Sequence, residues 1–294
     1  MILLLGGSGY VGQAFVRQME RRGLAYVAPR HEDLDALSKD AVVAVVEALK
    51  PDFVINAIGF TGRPNIDGTE KEKLHCLITN TTVPGILGEV LGARGIPLGH
   101  VSSGCIYNGV RSDGLPFDED DPPNFAFSHP QANWYSRTKA MAETLLRDCP
   151  TALIWRLRIP FDEFDHDRNY LTKIMRYDRL LEVSNTISQL QEFAHVCLET
   201  LLRRLPSGIY NVVNPGAIKT SEVAEAIRRH GLCDREFQFF KDEEDFLSAP
   251  GRVKRANCIL SSEKLARLGL PLRPIHDALE ETLRNWKWRD EEKS

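Results

Sequence analysis

The chain has 294 residues, 43% of them hydrophobic, enough to bury the core of one large two-lobed domain or of two closely packed ones. A net charge of −4, a pI near 6.1 and the lack of an extended lysine or arginine run argue against nucleic acid or an anionic membrane as the main partner. A small molecule is the expected ligand. Six cysteines (Cys76, Cys105, Cys149, Cys197, Cys233 and Cys258) are scattered, without a CxxC pair or a His/Cys cluster at zinc-ligand spacing. Free thiols in a reducing, cytoplasmic compartment and no bound metal are therefore expected.

The N-terminal MILLLGG has no basic leader and breaks at glycine after a short apolar run, so neither a signal peptide nor a membrane span is expected. Ile2–Leu5 reads as a strand buried on both faces of a parallel sheet. After a glycine loop, a helix should place Val11, Phe15 and Met19 inward and stop at Gly23. A strand over 25–29, a helix over 40–49, a strand over 52–59 and a helix within 74–93 follow. Next come a strand over 97–103, a helix over 133–147 and a strand over 151–158. This alternation predicts an α/β fold with a doubly wound parallel sheet, the dinucleotide-binding Rossmann domain taking residues 1–158.

Beyond residue 158 the alternation weakens. Helical stretches over 169–179 and 190–205 precede a strand-like 209–213, and further helices are expected near 221–230, 262–268 and 275–286. With no low-complexity linker or internal repeat, residues 159–294 are expected to form mainly a smaller α/β substrate lobe. It should face the first across a cleft, with some segments returning to the Rossmann domain.

Gly6, Gly9 and Gly12 form a GxxGxxG between the first strand and helix, where a pyrophosphate would meet bare backbone and a helix N-terminus. Gly6, Ser8, Gly9, Tyr10, Val11 and Gly12, with Asn56 and Ala57 at the third strand's end, are the expected cofactor contacts. Arg30 ends the second strand, where it can pair with the 2′-phosphate of NADPH. NADH remains the alternative, with Glu32 or Asp33 holding the ribose.

Tyr135 and Lys139 lie four apart at the start of a predicted helix and so share a face. A phenol with an ordinary pKa of about 10 is a poor proton carrier at neutral pH, and a nearby ammonium favours its ionised form. Ser103, ending the preceding strand, can hydrogen-bond the substrate oxygen.

The glycine loop, the strand end Asn56-Ala57-Ile58-Gly59, Ser103 and Tyr135-x-x-x-Lys139 together resemble the extended short-chain dehydrogenase/reductase superfamily over essentially the whole chain. The resemblance implies a nucleotide-sugar substrate, a C-terminal nucleotide-sugar lobe and a homodimer. Its 4,6-dehydratases carry an Asp-Glu pair where this chain has Gly104-Cys105, so dehydration is not expected and a separate 4,6-dehydratase would supply the substrate. Ser102-Ser-Gly-Cys-Ile-Tyr107 is instead similar to enzymes that epimerise carbons beside a ketone. A ketone at C4 acidifies the protons on C3 and C5, and a thiol with an ordinary pKa of about 8.5 can exchange them.

With Thr61-Gly-Arg63-Pro-Asn65 and Arg168-Asn169-Tyr-Leu-Thr172-Lys173, the pattern looks like the 3,5-epimerase/4-reductases that form nucleotide-activated L-rhamnose from UDP- or dTDP-4-keto-6-deoxyglucose. That resemblance implies Cys105 and Lys173 as the epimerising pair, Ser103, Tyr135 and Lys139 as the reducing group, and Arg63, Asn65 and Asn169 as further substrate contacts. Two segments depart from the family pattern: Ile66-Asp67-Gly68-Thr69-Glu70, where Asp-Trp-Cys-Glu is usual, and Ala249-Pro-Gly-Arg252-Val-Lys-Arg255, where Ala-Pro-Arg-Ser-Asn-Asn is usual. The alternatives are an enzyme like GDP-fucose synthase, a reductase without epimerase activity, and a non-catalytic NADP-binding regulatory subunit.

Overall fold

A computed structural model describes residues 1–289; the last five residues of the expected C-terminal lobe lie outside them. Strands β1 (Ile2–Leu5), β2 (Tyr26–Val27), β3 (Phe53–Asn56), β4 (Leu98–Ser103) and β5 (Ala152–Leu157) join the strand Gly208–Asn211 in one sheet. Every pairing is parallel, in the spatial order β2, β1, β3, β4, β5 and Gly208–Asn211. All residues of β1, β3, β4 and β5 are buried, as their nearly unbroken apolar runs require. The expected doubly wound sheet is thus present.

Helices cover both faces. On one, Ala14, Phe15 and Met19 of α1 (Tyr10–Arg21) share a core with β1, β3 and β5 and with Leu190, Phe193 and Leu198 of a later helix, Leu190–Leu202. On the other, Val42 and Val46 of α2 (Lys39–Leu49) pack with the helical segment that runs through α3 (Lys73–Leu77) and α4 (Val83–Gly92). Next to it lies α5 (Trp134–Leu146), whose Asn133 cap accepts a hydrogen bond from the Ser136 backbone at 2.9 Å.

The helix expected within 74–93 is not regular: Ile78–Thr82 widens into a π turn between α3 and α4. That turn brings the Asn80 side chain onto both backbone polar groups of Phe60, at 2.8 and 3.0 Å, and onto Thr138 Oγ1 at 3.1 Å. The second strand is only two residues long at the sheet edge, and the helix expected over 169–179 shortens to α6 (Tyr170–Arg176). Its chain turns extended at Tyr177 because Arg179–Leu180 pairs with Gln238–Phe239.

A second core gathers Leu171, Ile174 and Met175 of α6 around Val223 and Ile227 of the helix Thr220–Arg229 and around Ile275, Leu279 and Leu283 of the helix Ile275–Arg284. The elements not expected from sequence lie mostly here: two-residue ladders, and a short helix, Glu243–Ser248. Among the described residues no helix is long and apolar enough to cross a membrane.

Beneath the strand ends, a buried ion pair joins helix to sheet. Arg156 of β5 donates to both Glu143 carboxylate oxygens of α5, from Nη2 at 2.8 Å and from Nε at 3.1 and 3.2 Å; both residues are buried. Ser102 of β4 donates to the same carboxylate at 2.6 Å. Glu143→Ala strands the Arg156 cation in the core and should cost about 3–5 kcal/mol of folding free energy. Chemical denaturation would show this as a midpoint moved to lower denaturant at unchanged slope.

Candidate active site

The chain leaves β1 toward β2 on one side of the sheet and returns as β3 on the other, so a crevice opens at the C-terminal ends of β1 and β3. A cavity of about 530 Å³ lies there and extends toward α6 and the 246–257 segment, within the roughly 300–1,000 Å³ usual for small-ligand sites. It is lined on one side by Gly9, Tyr10, Val11, Ala57 and Gly59, and on the other by Cys105, Arg158, Lys173 and Arg255.

The glycine loop is shaped for close backbone approach. Gly6 has φ +79°, and a Cβ there would lie 2.8 Å from the backbone of Ala57 and Ile58; a Cβ at Gly12 would lie 2.0 Å from the Gly6 carbonyl oxygen. Gly9 stands at the α1 N-cap without a side-chain cap, and the first turn carries no acidic residue. Its leading N–H groups and positive helix end therefore fit a pyrophosphate.

Not every expected cofactor contact lines this cavity. Ser8 is exposed. Asn56 is fully buried, accepting from the Ile58 backbone at 3.0 Å and lying 3.1 Å from His100 Nδ1, so it shapes the loop after β3 instead of facing the crevice. Arg30 is exposed and ion-paired with Glu32 at 2.7 Å and Asp33 at 3.2 Å, outside the lining.

Ser103 and Cys105 are brought together by a turn. Ser103 ends β4 and its Oγ accepts from the Cys105 backbone at 3.2 Å, starting the 3₁₀ turn Gly104–Ile106 that carries the thiol into the cavity. A Cβ at Gly104 would lie 2.5 Å from Leu260 Cδ1, so a larger side chain there would have to displace Leu260.

Tyr135 and Lys139 of α5 face the same point. Lys139 is buried and donates to the Val101 carbonyl at 3.0 Å. Burial brings its ammonium down to about pKa 8, partly offset by Cys76, Glu143 and Cys105 nearby. Burial, reinforced by the Cys105 sulfur, pushes the Tyr135 phenol up, while the neighbouring Ser103 hydroxyl pulls the other way. In the absence of ligand the phenol thus holds its proton at neutral pH.

Lys173 projects from α6 into the cavity, and burial together with the positive charges of Arg168 and Arg255 lowers its ammonium to about pKa 8. Asn65 also lines the cavity, donating to the Tyr177 hydroxyl at 3.3 Å. Two expected substrate contacts stand elsewhere. Arg63 is exposed and outside the lining. Asn169 is fully buried: it caps α6 by accepting from Leu171 N at 3.0 Å and donates to the Asp162 carbonyl at 2.8 Å. It positions the Lys173 helix.

Sequence reasoning missed Arg158 and Asn80, and quoted Arg168 in its motif without giving it a role. Arg168 donates to Thr61 Oγ1 at 2.9 Å and to the Gly62 carbonyl at 2.7 Å, closing the 61–65 loop against the start of α6. Arg158 could have been found, because a basic residue directly after the buried strand Ala152–Leu157 is an anomaly in a sheet core.

The parallel sheet, the crevice at its switch point and the Tyr–Lys–Ser group define a Rossmann-type reductase. The family described as the RmlD substrate binding domain matches residues 1–287, and the chain belongs to it. A bifunctional dTDP-4-dehydrorhamnose 3,5-epimerase/dTDP-4-dehydrorhamnose reductase from Arabidopsis thaliana is 33% identical over 77% of this chain and 74% of its own. A trifunctional dehydratase/epimerase/reductase of the same plant, RHM3, is 30% identical, but the match covers only 41% of its length.

The crystal structure of the L780 UDP-rhamnose synthase from Acanthamoeba polyphaga mimivirus superposes with a TM-score of 0.88 at 25% identity, over 97% of this chain and 98% of that one. A dTDP-4-dehydrorhamnose reductase from Bacillus anthracis, solved with NADP, shares the fold with a TM-score of 0.81 at 17% identity, over 96% and 98% of the two chains.

The low position of Lys139 has a kinetic consequence. Its charge, which steadies an ionising Tyr135, is present below about pH 8 and lost above it. For NADPH-dependent reduction of its ketone substrate, kcat/KM should be level below pH 8 and fall about tenfold per unit above it. The same profile for Lys139→Met should be lower by about 10²–10⁴-fold and lack that limb.

Proposed function

We propose that this chain converts a UDP- or dTDP-4-keto-6-deoxyglucose to the corresponding L-rhamnose nucleotide, by proton exchange at C5 and C3 followed by reduction at C4. The observation that carries the reading is that Cys105 and Lys173, from separate elements, line one cavity with Ser103, Tyr135 and Lys139. A reductase alone has no use for a second proton-transfer pair.

In this reading Cys105 and Lys173 act on a substrate seated between them, one taking a carbon-bound proton and the other returning one from the opposite ring face. The C4 ketone holds the electron pair as an enolate between those events. Ser103 hydrogen-bonds the C4 oxygen, and Tyr135 gives its proton to that oxygen as it becomes an alkoxide, with the Lys139 charge stabilising the resulting phenolate. NADPH, held at the α1 N-terminus by the loop from Gly6 to Gly12, supplies the hydride when bound. Arg168, Arg179, Arg252 and Arg255 all line the cavity; Asp245 pairs with Arg179 and Asp67 is shared by Arg252 and Arg255, which leaves a net positive charge for a nucleotide diphosphate.

The ketone has to come from a 4,6-dehydratase. Gly104 and Cys105 stand where a dehydratase would carry its acidic pair, and in the trifunctional plant relative the name joins a dehydratase activity to a chain more than twice the matched length.

The test offers UDP- and dTDP-4-keto-6-deoxyglucose with NADPH in deuterated water. The wild type should place deuterium at C3 and C5 of an L-rhamnosyl product. Cys105→Ser and Lys173→Met should each slow that incorporation by about 10²–10⁴-fold while still reducing a 4-ketone supplied in the L-configuration. Reduction without incorporation would make the protein a reductase only. No turnover, with NADPH still bound, would leave the non-catalytic reading.

A further inference from the structure

The two arginines of β5 and its end are both buried, yet they are neutralised differently. Arg156 has the Glu143 carboxylate. Arg158, one residue past the Ser103–Leu157 register pair and only 2% exposed, has no carboxylate within ion-pair distance among the described residues. Its Nη2 donates to Asn185 Oδ1 at 2.5 Å and to the Ala256 carbonyl, its Nε has no partner, and its Nη1 points at Cys105 Sγ, 3.0 Å away. A desolvated guanidinium without a counter-ion is strongly unfavourable, so the groups around it that can carry negative charge matter.

Cys258 is the second sulfur beside it. Its Sγ donates to the Gly104 carbonyl at 3.3 Å, and burial lifts its thiol to about pKa 11, so it stays protonated and neutral. Cys105 is the partly exposed sulfur, and it opens into the cavity. The other titratable groups facing it are Tyr135 and Lys139 of α5, together with Cys258. Arg158 is the nearest permanent cation, locked by two oxygen acceptors that leave Nη1 free for the sulfur.

We infer that Arg158 is the counter-ion and positioning residue of Cys105: it aims the sulfur into the cavity and balances the negative charge of its thiolate. The role in turnover rests on the epimerase reading above; the pairing itself does not. In the exchange the thiolate forms an S–H bond as the substrate C–H bond breaks and its electron pair enters the enolate. The Lys173 ammonium then gives its proton to the same carbon, so that sulfur ends as thiol and nitrogen as amine. Both are reset by proton exchange with water. At the carbon-acid step Arg158 loses its anionic partner, and the charge passes to the enolate in the same cavity.

The experiment measures alkylation of Cys105 by iodoacetamide against pH, read peptide by peptide by mass spectrometry, in wild type, Arg158→Met and Arg158→Lys, with Cys105→Ser as blank. Circular dichroism and NADPH binding report folding. Arg158→Met should slow alkylation at pH 7 about tenfold, and Arg158→Lys should fall between it and wild type. In deuterated water, C3 and C5 exchange should drop at least tenfold more than reduction of the L-configured ketone does.

If Arg158→Met does not fold, Arg158→Lys decides by the same two readouts. Superimposable alkylation profiles in folded variants would overturn the inference. So would a parallel loss of exchange and reduction, which marks a merely structural arginine. A wild type that exchanges no deuterium defeats the epimerase reading, yet the alkylation profile still decides the pairing.

Discussion

The site depends on one buried charge pair. Glu143 and Arg156 meet between α5 and β5, with Ser102 of β4 on the same carboxylate and the Arg156 guanidinium 5.1 Å over the Tyr107 ring. A buried pair of this kind contributes little net stability, but it tolerates only one register, because any slip leaves a charge unpaired. That register carries consequences one helical turn away. Lys139 is four residues before Glu143 and therefore lies over β4, where its ammonium reaches the Val101 carbonyl at 3.0 Å, with Tyr135 one turn further on beside Ser103.

A second buried carboxylate connects the two ends of the cavity. Asp162 is fully buried and accepts from Tyr10 Oη at 2.9 Å, Arg17 Nη2 at 3.1 Å and Asn169 Nδ2 at 3.1 Å. Tyr10 also stacks on His166, with ring centroids 4.7 Å apart. The start of the glycine-loop helix is thereby fixed against the cap of the helix bearing Lys173. Burial raises the Asp162 carboxyl to about pKa 6, against the pull of Tyr10 and Arg17. Above that value the charged form binds Tyr10, Arg17 and Asn169 together, and the two walls of the cavity are held as one unit.

The sheet was legible because four of its strands are short, mainly apolar runs, three of them closed by glycine, serine or asparagine, a pattern that burial on both faces explains. The second lobe was less so, since two-residue ladders such as Ser184–Asn185 with Ile218–Lys219 carry no period to detect. Site residues divided in the same way. Gly6, Gly12, Ser103, Cys105, Tyr135 and Lys139 are set by the ends of regular elements, and position along the chain predicts where they point. Asn56 and Asn169 sit at such ends too, but asparagine there satisfies backbone groups, and its type cannot distinguish a cap from a ligand contact. Asn80 depends on a π turn that no periodicity announces.

The two segments that depart from the family pattern meet in three dimensions, and they meet at Asp67, which keeps the acid that begins the usual Asp-Trp-Cys-Glu run. Asp67 accepts from Arg255 at 2.7 and 2.8 Å, from Arg252 at 3.0 Å and from the Val253 backbone at 3.0 Å. Burial works against the Asp67 charge, but these donors prevail and hold its carboxyl below the usual range. The acid of the first segment thus holds the bases of the second against the cavity wall. The pair also sets how much positive charge reaches Lys173: Arg255 lowers that ammonium, and the carboxylate that holds Arg255 at the cavity wall fixes the distance over which it does so. Arg255, where the second segment departs from the pattern, is in three dimensions part of the electrostatics of the proposed proton donor.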